Sequence, residues 1–413
     1  MGKMVQEMEN LKSIIISKRA ELAAKGGHPW IYGTEIKETD EGIEAGEIVR
    51  VLSVKGKFVG SGFYNPQSKI AIRIFSTNAN DCFDDDFWKR RVAYAVDYRL
   101  QVMREEDWNC MRLVFGEADQ LPGLTVDRFG DILSVQVLSL GMELRKDIIL
   151  NGLIEVLRER GLGVSCIYER NDVKIRELEG MKQYKGYFES PLLSVSERKA
   201  ITEIVENGIT YHVDVENGQK TGFFLDQKFN RLAAASIAKG RHVLDCFTHT
   251  GAFALNAARQ GAAAVTAVDI SEEAVKMTQA NAEKNDLNIC VIREDVFDYL
   301  TNLDRMHSKE FDYIILDPPA FTKSGETVHS AFRGYKEINY RAMKILPRGG
   351  YLATCSCSHF MGEELFIKMV KEAARDANVT LRQIAFRQQS PDHPVLLTVP
   401  ETYYLKFFLF QIV

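Results

Sequence analysis

The sequence predicts an α/β protein in which a mostly parallel, seven-stranded sheet fills the second half of the chain and two smaller units precede it. After about residue 205, short apolar runs alternate with helical patterns, as in parallel sheets covered by helices on both faces. Before that point, residues 46 to 75 alternate apolar and polar positions around turn signals, which is typical of antiparallel strands. The chain has 413 residues, 46% of them hydrophobic. Since one core rarely supports that length, we expect several domains.

The first half contains a small β unit followed by an α+β unit. The β unit is the antiparallel segment just described. The α+β unit is predicted from a helical pattern over 84–105, strands on both sides of the Leu-Pro-Gly turn at 121–123, a helix near 145–160 and a strand around 166–169. We place the domain boundaries at 11–79, 80–204 and 205–413.

The second half is predicted to be one sheet with its covering helices. Its parallel strands are predicted, in chain order, at 243–244, 264–268, 290–292, 313–316 and 351–354. Helices are predicted at 252–260, 271–285 and about 363–377. Two final apolar runs, 381–387 and 403–413, could close the sheet as an antiparallel edge pair.

Composition excludes several classes of protein. No run of about 18 apolar residues occurs, and the segment Met1 to Glu7 lacks the apolar core of a signal peptide. We therefore expect a soluble protein that stays in the cytoplasm and has no membrane partner. Seven cysteines, an odd number, fit reduced thiols better than a disulfide framework. Because the net charge is −5, a nucleic-acid partner would need local basic patches.

Aspartates mark the ends of four consecutive predicted strands of the second half. They are Asp245, Asp269, Asp295 and Asp317. Ligands of open parallel sheets bind beyond the carboxyl ends of the strands. A single aspartate at such a place is usually a helix cap, but four in succession indicate a ligand site.

The glycine pattern then separates the candidate cofactors. A dinucleotide favours a Gly-x-Gly-x-x-Gly loop, whereas the loop from Phe247 to Phe253 contains only Gly251, so NAD is disfavoured. S-adenosylmethionine has no phosphate but carries an ammonium group, a ribose and an adenine, and would suit this loop. We assign Phe247, Thr250 and Gly251 of the loop to its binding.

The acids are predicted to contact the polar groups of S-adenosylmethionine. We expect Asp245 near its amino acid portion, Asp269 as acceptor for both ribose hydroxyls, and Asp295 near the adenine amino group. Ile270 and Val296 are candidates to pack on the adenine faces, although either could equally belong to the core.

Asp317-Pro318-Pro319-Ala320-Phe321 and Cys355-Ser356-Cys357-Ser358 predict covalent chemistry on a pyrimidine. Carbon 5 of a pyrimidine accepts a methyl group only after a thiolate has added at carbon 6. Asp317, held by two prolines, could protonate or hydrogen-bond the N3 edge of the base. A cysteine thiol titrates near about 8.5 and needs an electropositive setting to ionise, and a bound sulfonium is one source of such charge.

Several alternatives accompany this interpretation. The two cysteines would lie on one face of a strand and could be structural. A zinc pair is disfavoured because no second pair lies at metal-ligand spacing, and we expect no metal. His359 could assist proton transfer or make only a structural hydrogen bond. The sequence does not identify the base that removes the C5 proton.

Four motifs together resemble the bacterial large-subunit ribosomal RNA cytosine-5 methyltransferase I family. They lie at 217–227, 244–253, 317–321 and 356–358, and the resemblance extends over nearly the whole chain. It implies a class I (Rossmann-like) methyltransferase domain, an N-terminal PUA domain resembled by 26–32, S-adenosylmethionine as cofactor and 23S ribosomal RNA as substrate.

The resemblance also implies roles for single residues. It puts Thr221, Phe223 and Gln227 near the methionine end of the cofactor, and it favours Cys357 over Cys355 as the nucleophile. One departure is Ala320, since many RNA cytosine-5 methyltransferases carry at that place a second cysteine that helps product release.

RNA contacts and competing functions complete the predictions. Trp30 and Tyr32 are candidates for stacking on RNA, with the basic positions of 55–69 beside them. For Trp30, packing in the core of a β barrel is the alternative. Methylation of a base nitrogen and a catalytically silent, RNA-binding assembly factor are the competing functions. The sequence leaves open whether the protein forms a homodimer.

Overall fold

A computed structural model describes residues 11–322 and 325–413. The expectation about a signal peptide concerns residues outside this part of the chain. The chain divides into two compact units. The first contains the chain up to Ile204 together with Val213–Leu225 and Pro391–Thr402; the second contains Val205–His212, Asp226–Ser390 and Tyr403–Val413. The division into three domains at 79 and 204 stays a prediction.

The first unit contains two sheets. Its strands are Ser13–Ile16 (β1), Trp30–Tyr32 (β2), Ile36–Thr39 (β3), Ile48–Ser53 (β4), Phe58–Tyr64 (β5), Ile70–Ser76 (β6), Cys110–Phe115 (β7), Leu124–Phe129 (β8), Ile132–Val137 (β9), Cys166–Asn171 (β10) and Tyr184–Tyr187 (β11). Its α-helices are Lys18–Lys25 (α1), Asp85–Val102 (α2), Leu140–Glu143 (α3) and Lys146–Glu159 (α4). A hairpin of Ile201–Glu206 (β12) and Ile209–Asp214 (β13) contains the points where the chain changes units.

The two sheets of the first unit agree with the sequence patterns. The six-stranded sheet has the order β2-β6-β5-β4-β1-β3, and its three strands between residues 48 and 76 pair antiparallel as predicted. The five-stranded sheet has the order β11-β10-β9-β8-β7. Helix α2 begins after Asp84, whose side chain accepts a hydrogen bond from the backbone N–H of Phe87, which is an ordinary helix N-cap.

The second unit is built around one sheet of seven strands. Its strands are His242–Cys246 (β14), Ala264–Asp269 (β15), Cys290–Arg293 (β16), Tyr313–Leu316 (β17), Tyr351–Ser356 (β18), Leu381–Arg387 (β19) and Lys406–Ile412 (β20). Its α-helices are Lys228–Ala235 (α5), Ala252–Arg259 (α6), Glu272–Lys284 (α7), Val296–Arg305 (α8), Val328–Ile345 (α9) and Glu363–Asp376 (α10).

The strand order β16-β15-β14-β17-β18-β20-β19 confirms the predicted fold class. Strands β14 to β18 are parallel, and β20 pairs antiparallel with both β18 and β19. Successive residues of a strand face opposite sides of the sheet. Accordingly, Leu244 and Leu316 belong to the core on one face, whereas Val243 and Ile315 belong to the core on the other.

The order of the strands also places the candidate site. From β14 the chain moves outward through β15 and β16, then returns to the other side of β14 with β17 and β18. Ligands of such sheets bind at the carboxyl ends of the two strands where the order reverses, which are here β14 and β17. In the described part of the chain, no helix is long and apolar enough to cross a membrane.

Candidate cofactor and base site

Two aspartates lie at the point where the strand order reverses. Asp245 is the penultimate residue of β14, and Asp317 directly follows β17. The adjacent strands pair Cys246 with Leu316. Asp245 is therefore placed one residue earlier than the sequence suggested, inside its strand, but both side chains belong to the same edge of the sheet.

The carboxylate of Asp245 is buried and only half satisfied. Its Oδ2 accepts hydrogen bonds from Thr248 Oγ1 at 2.6 Å and from the backbone N–H of Ala254 at 3.0 Å. Its Oδ1 has no hydrogen-bond partner among the described residues. Burial raises the pKa of Asp245 to about 7. Because buried polar atoms are normally paired, this oxygen fits a ligand that brings its own donor, such as the ammonium group of S-adenosylmethionine.

The loop after β14 requires a glycine at position 251. Gly251 has φ +79°, a left-handed conformation that other residues adopt at a cost. A Cβ there would lie 2.8 Å from Thr278 Cγ2. Phe247 and His249 of the same loop also have positive φ, at 63° and 53°. Thr250 is buried, and its carbonyl accepts a hydrogen bond from Asn281. The loop is therefore a tight turn into α6.

Asp269 and Ile270 lie at the end of β15. The two oxygens of Asp269 accept backbone hydrogen bonds from His249 at 3.0 Å and Ser271 at 2.9 Å, which orients the carboxylate. The side chain of Ile270 is 62% exposed. The alternative that it belongs to the core is therefore wrong, and it offers an apolar surface beside Asp269.

Asp295 is a helix cap and Val296 is a core residue, which are the structural alternatives that the sequence left open for them. Asp295 caps α8, and its Oδ1 accepts from the backbone N–H groups of Phe297 and Asp298. Neither bond uses Oδ2, so that oxygen is not needed for the cap. Val296 is 2% exposed and belongs to the core, so its side chain presents no free face for an adenine.

An aromatic cluster at this edge was not predicted from the sequence. Phe247, Phe297 and Phe321 form a triangle with ring centroids 6.0 to 6.5 Å apart, and Phe321 lies 4.6 Å from the ring of Tyr335. All three phenylalanines are partly buried. Each follows a strand-end aspartate by two to four residues, and that spacing is the signal that could have indicated them.

Asp317 is oriented by Gln227. The side-chain amide of Gln227 donates to Asp317 Oδ1 at 2.9 Å, while its own oxygen accepts from Asn230 at 2.7 Å. Burial raises the pKa of Asp317 to about 6, and the nearby carboxylate of Asp226 acts in the same direction. Gln227 was predicted at the methionine end of the cofactor; the structure places it against the acid that is expected to hold the base.

The two cysteines differ in their surroundings. Cys355 is fully buried in β18, and burial together with the charge of Asp317 raises the pKa of its thiol well above the usual range. Cys357 is partly exposed and lies just beyond the strand, which ends at Ser356. The argument that both point to one face of a strand therefore does not apply.

The neighbours of Cys357 are held in place. Ser356 donates to the hydroxyl of Tyr335 at 3.1 Å, and Ser358 donates to the carbonyl of Thr322 at 3.0 Å. Burial raises the pKa of the Tyr335 hydroxyl, and the charges of both Cys357 and Asp317 add to this effect. Cys357 and Asp317 thus share Tyr335 as a neighbour.

His359 lies at the surface beside a backbone carbonyl. His359 is exposed, and its Nδ1 lies 3.5 Å from the carbonyl of Tyr403, which agrees with a structural contact. The described residues contain no group of three or more side chains able to hold a metal ion.

Thr221 and Phe223 lie in the first unit and are buried there. The hydroxyl of Thr221 donates to Asp127 Oδ2 at 2.5 Å. Arg112 forms a two-point ion pair with the same carboxylate, at 2.7 and 2.8 Å. Asp127 and Arg112 were not predicted as partners of this motif. The contact of Thr221 and Phe223 with the cofactor stays a prediction.

The candidate RNA-contacting aromatics also lie in the first unit. The indole N–H of Trp30 donates to Glu117 at 2.8 Å, and Arg73 lies over its ring at 5.8 Å. Trp30 is partly exposed rather than packed in a core, and Tyr32 is 42% exposed. Tyr32 is therefore available at a surface, whereas the ring of Trp30 is partly covered by Arg73, and the role of both residues stays a prediction.

Fold and site define the class of the protein as an S-adenosylmethionine-dependent methyltransferase. The family model of that name matches residues 175–411, and a model for PUA-like domains matches 14–77. Ribosomal RNA large subunit methyltransferase I of Aliivibrio fischeri (strain MJ11) is 38% identical over 97% of this chain and 99% of the relative. The protein of that name from Escherichia coli (strain SMS-3-5 / SECEC) is 35% identical over 96% and 98%. The chain belongs to the ribosomal RNA large subunit methyltransferase I family.

Solved structures agree with this fold. A chain from Streptococcus mutans assigned as a SAM-dependent methyltransferase superimposes with a TM-score of 0.80 at 23% identity, covering 97% of this chain and 99% of the other. A methyltransferase structure complexed with SAH superimposes equally well. The predicted family, fold class and cofactor are confirmed.

Proposed function

We propose that the protein methylates carbon 5 of a cytosine in 23S ribosomal RNA through a covalent adduct with Cys357. The observation that carries this proposal is the contrast between the two cysteines: Cys357 is partly exposed beyond the end of β18, whereas Cys355 is buried against Asp317. The names of the relatives support ribosomal RNA as the substrate.

The chain's own residues account for most of the reaction. When bound, S-adenosylmethionine supplies an electrophilic methyl group, and the unpaired Oδ1 of Asp245 and the surface of Ile270 are suited to hold it. The thiolate of Cys357 adds to carbon 6 and breaks the 5,6 double bond of the base. After methylation, a base takes the proton from carbon 5, the bond between carbon 6 and sulfur breaks, and the thiolate returns.

Asp317 selects and activates the cytosine. Its pKa of about 6 keeps part of the population protonated near neutral pH, and a protonated carboxyl can donate to N3 of cytosine. That hydrogen bond withdraws charge from the ring as the thiolate adds. Uracil carries a hydrogen at N3 and would not accept it.

The test compares Cys357→Ala with Cys355→Ala, two equal truncations two positions apart. We expect Cys357→Ala to lose methylation by at least about a thousandfold, as for removal of a nucleophile, while its affinity for S-adenosylhomocysteine stays within about twofold. Cys355→Ala should keep a measurable rate. The readout is bisulfite sequencing and nucleoside mass spectrometry of ribosomal RNA from cells lacking the protein and complemented with each variant.

A methylated product that bisulfite still converts fully would instead favour methylation of a base nitrogen, with Asp317 gripping an amino group. Full activity of Cys357→Ala would remove the covalent route. Binding of the cofactor with no methyl transfer to any ribosomal RNA would favour the assembly factor. A cytoplasmic location remains a prediction, which fractionation checks. Sedimentation decides whether the protein forms a homodimer, which the sequence leaves open.

A further inference from the structure

Lys406 is a fully buried lysine in the second unit that the proposed reaction does not use. It is the first residue of β20, lies opposite Ser356 of β18 in the strand register, and is 1% exposed. Side chains directly opposite each other on antiparallel strands share a face of the sheet. Lys406 and Ser356 therefore lie on the same face, at the end of β18 from which Cys357 emerges.

The ammonium group of Lys406 is held by backbone carbonyls. Its Nζ donates to the carbonyl of Ser358 at 2.6 Å and to that of Tyr404 at 2.8 Å. Ser358 is the residue directly after Cys357. In the described part of the chain, no carboxylate lies within ion-pair distance of Lys406, and two carbonyls account for two of its three N–H donors.

A buried ammonium without an ion pair is costly, because charges removed from water are normally balanced by a partner. Burial lowers the pKa of Lys406 to about 8. Two groups act in the opposite direction and raise the pKa of Lys406; Cys357 has the larger effect and Glu363 the smaller. Glu363 also accepts a hydrogen bond from Tyr403 at 3.2 Å. A thiolate at Cys357 would therefore oppose the effect of burial on Lys406, and the bond from Lys406 to the carbonyl of Ser358 holds the ammonium beside the residue that follows Cys357.

We propose that the ammonium group of Lys406 stabilises the thiolate of Cys357, so that Lys406 is a positioning residue acting through the nucleophile. It supplies the electropositive setting that the thiol needs before any cofactor is bound. The coupling favours the state in which the thiol has lost its proton and the ammonium has kept its own, because only that state places opposite charges on the two groups. The importance for catalysis rests on the proposed function, whereas the charge coupling itself does not.

The first experiment measures thiolate formation directly. The rate of alkylation of Cys357 by iodoacetamide is followed from pH 6 to pH 10 by peptide mass spectrometry in the full-length protein. Lys406→Met removes the charge and keeps the length of the side chain. We expect the midpoint of its rate profile to rise by about one pH unit or more, with alkylation at pH 7 about tenfold slower than in the wild type.

Two controls separate this effect from general damage. Cys290 is exposed, and its alkylation in the same samples should not change. Lys276→Met removes a lysine whose side chain is 70% exposed on α7 and should leave the profile of Cys357 unchanged. Superimposable profiles for a folded Lys406→Met and the wild type would overturn the proposal, as would a wild-type Cys357 that is not alkylated up to pH 10.

A reciprocal experiment decides the question if Lys406→Met does not fold. Coupling between two titrating groups is mutual, so Cys357→Ala should lower the titration midpoint of Lys406, observed by NMR of labelled lysine. An unchanged midpoint would overturn the proposal. Neither experiment depends on methyl transfer, so the coupling can be confirmed even if cytosine is not the substrate.

Discussion

At the residue scale, the site contains a carboxylate, Asp245, whose burial costs free energy when it is charged. Asp245 is buried, uses one oxygen for two hydrogen bonds and leaves the other unpaired. A raised carboxyl pKa means that the folded chain binds the proton more tightly than the unfolded chain. This group therefore lowers stability progressively as pH rises from about 4, the unfolded pKa, to the folded pKa of about 7.

Asp245→Asn should stabilise the protein above pH 7 while weakening cofactor binding. The side-chain oxygen of asparagine can keep the bonds from Thr248 and Ala254, and no charge remains to be buried. We expect a gain of about 2 to 4 kcal/mol at pH 8 that vanishes near pH 4, since each pKa unit corresponds to about 1.4 kcal/mol. Denaturant unfolding at both pH values measures the gain.

The predicted weakening of cofactor binding is measured by calorimetry with S-adenosylmethionine. Loss of the negative charge should reduce affinity at least about tenfold if the ammonium group binds Asp245. Asp298→Asn, on the exposed start of α8, is the control and should change neither quantity. Equal stability of the Asp245→Asn variant and the wild type at pH 8 would contradict the assignment of a strained carboxylate.

At the element scale, the turn from β14 into α6 depends on one glycine. Gly251→Ala should lower the free energy of unfolding by about 1 to 2 kcal/mol because of the positive φ alone. The contact of the new Cβ with Thr278 Cγ2 should lower it further. Gly240→Ala isolates the first contribution, because Gly240 has φ +73° and nothing lies within 4 Å of an added Cβ. Thermal unfolding of both variants gives the difference.

A double variant then tests whether Thr278 causes the remainder. Thr278→Ser removes Cγ2 and keeps the hydroxyl that donates to the carbonyl of His249. We expect Gly251→Ala to be less destabilising in that background than in the wild type. Equal losses for Gly251→Ala and Gly240→Ala in the wild-type background would show that the close contact is relieved without cost.

The elements that could be predicted from the sequence are those with a clear local period. The strands from β14 to β18, the helices α6, α7 and α10, and the antiparallel character of the last two strands all follow from alternating apolar patterns. Local patterns do not report partners that are distant in sequence. The bond from Gln227 to Asp317 spans ninety positions, and Lys406 reaches the carbonyl of Ser358 only because β20 inserts beside β18.

Two further features could not be predicted, because they also depend on contacts between residues that are distant in sequence. The aromatic cluster of Phe247, Phe297 and Phe321 joins the loops after β14 and β17 to the first turn of α8, and each phenylalanine alone looks like an ordinary core residue. The segment Pro391–Thr402 belongs to the first unit. Its three prolines indicate a break between the last two strands, but no local pattern reports the unit to which the segment belongs.

At the scale of the whole molecule, the two units should respond to different ligands. Tyr32→Ala in the first unit is expected to weaken RNA binding at least about fivefold, since loss of one stacking contact costs about 1 to 3 kcal/mol. Its affinity for S-adenosylmethionine should not change. Filter binding with ribosomal RNA and calorimetry with the cofactor measure the two affinities on the same preparation.

Tyr32→Phe is the matched control, because it keeps the ring and removes only the hydroxyl. It should bind RNA like the wild type if stacking is the source of affinity. Leu22→Ala, at an exposed apolar side chain on α1, should also have no effect. A Tyr32→Ala variant with unchanged RNA affinity would remove Tyr32 from the RNA-binding surface.

The position of β20 in the sheet has a consequence for how the enzyme is made. Cys357 leaves the ribosome during synthesis 49 residues before Lys406, and strands β14 to β18 can already pair at that stage. The strand position between β18 and β19 stays empty until residues 406–412 have been synthesised. If Lys406 stabilises the thiolate of Cys357 as proposed, a nascent chain carries this cysteine before that lysine, and the thiolate is stabilised only when the sheet is complete.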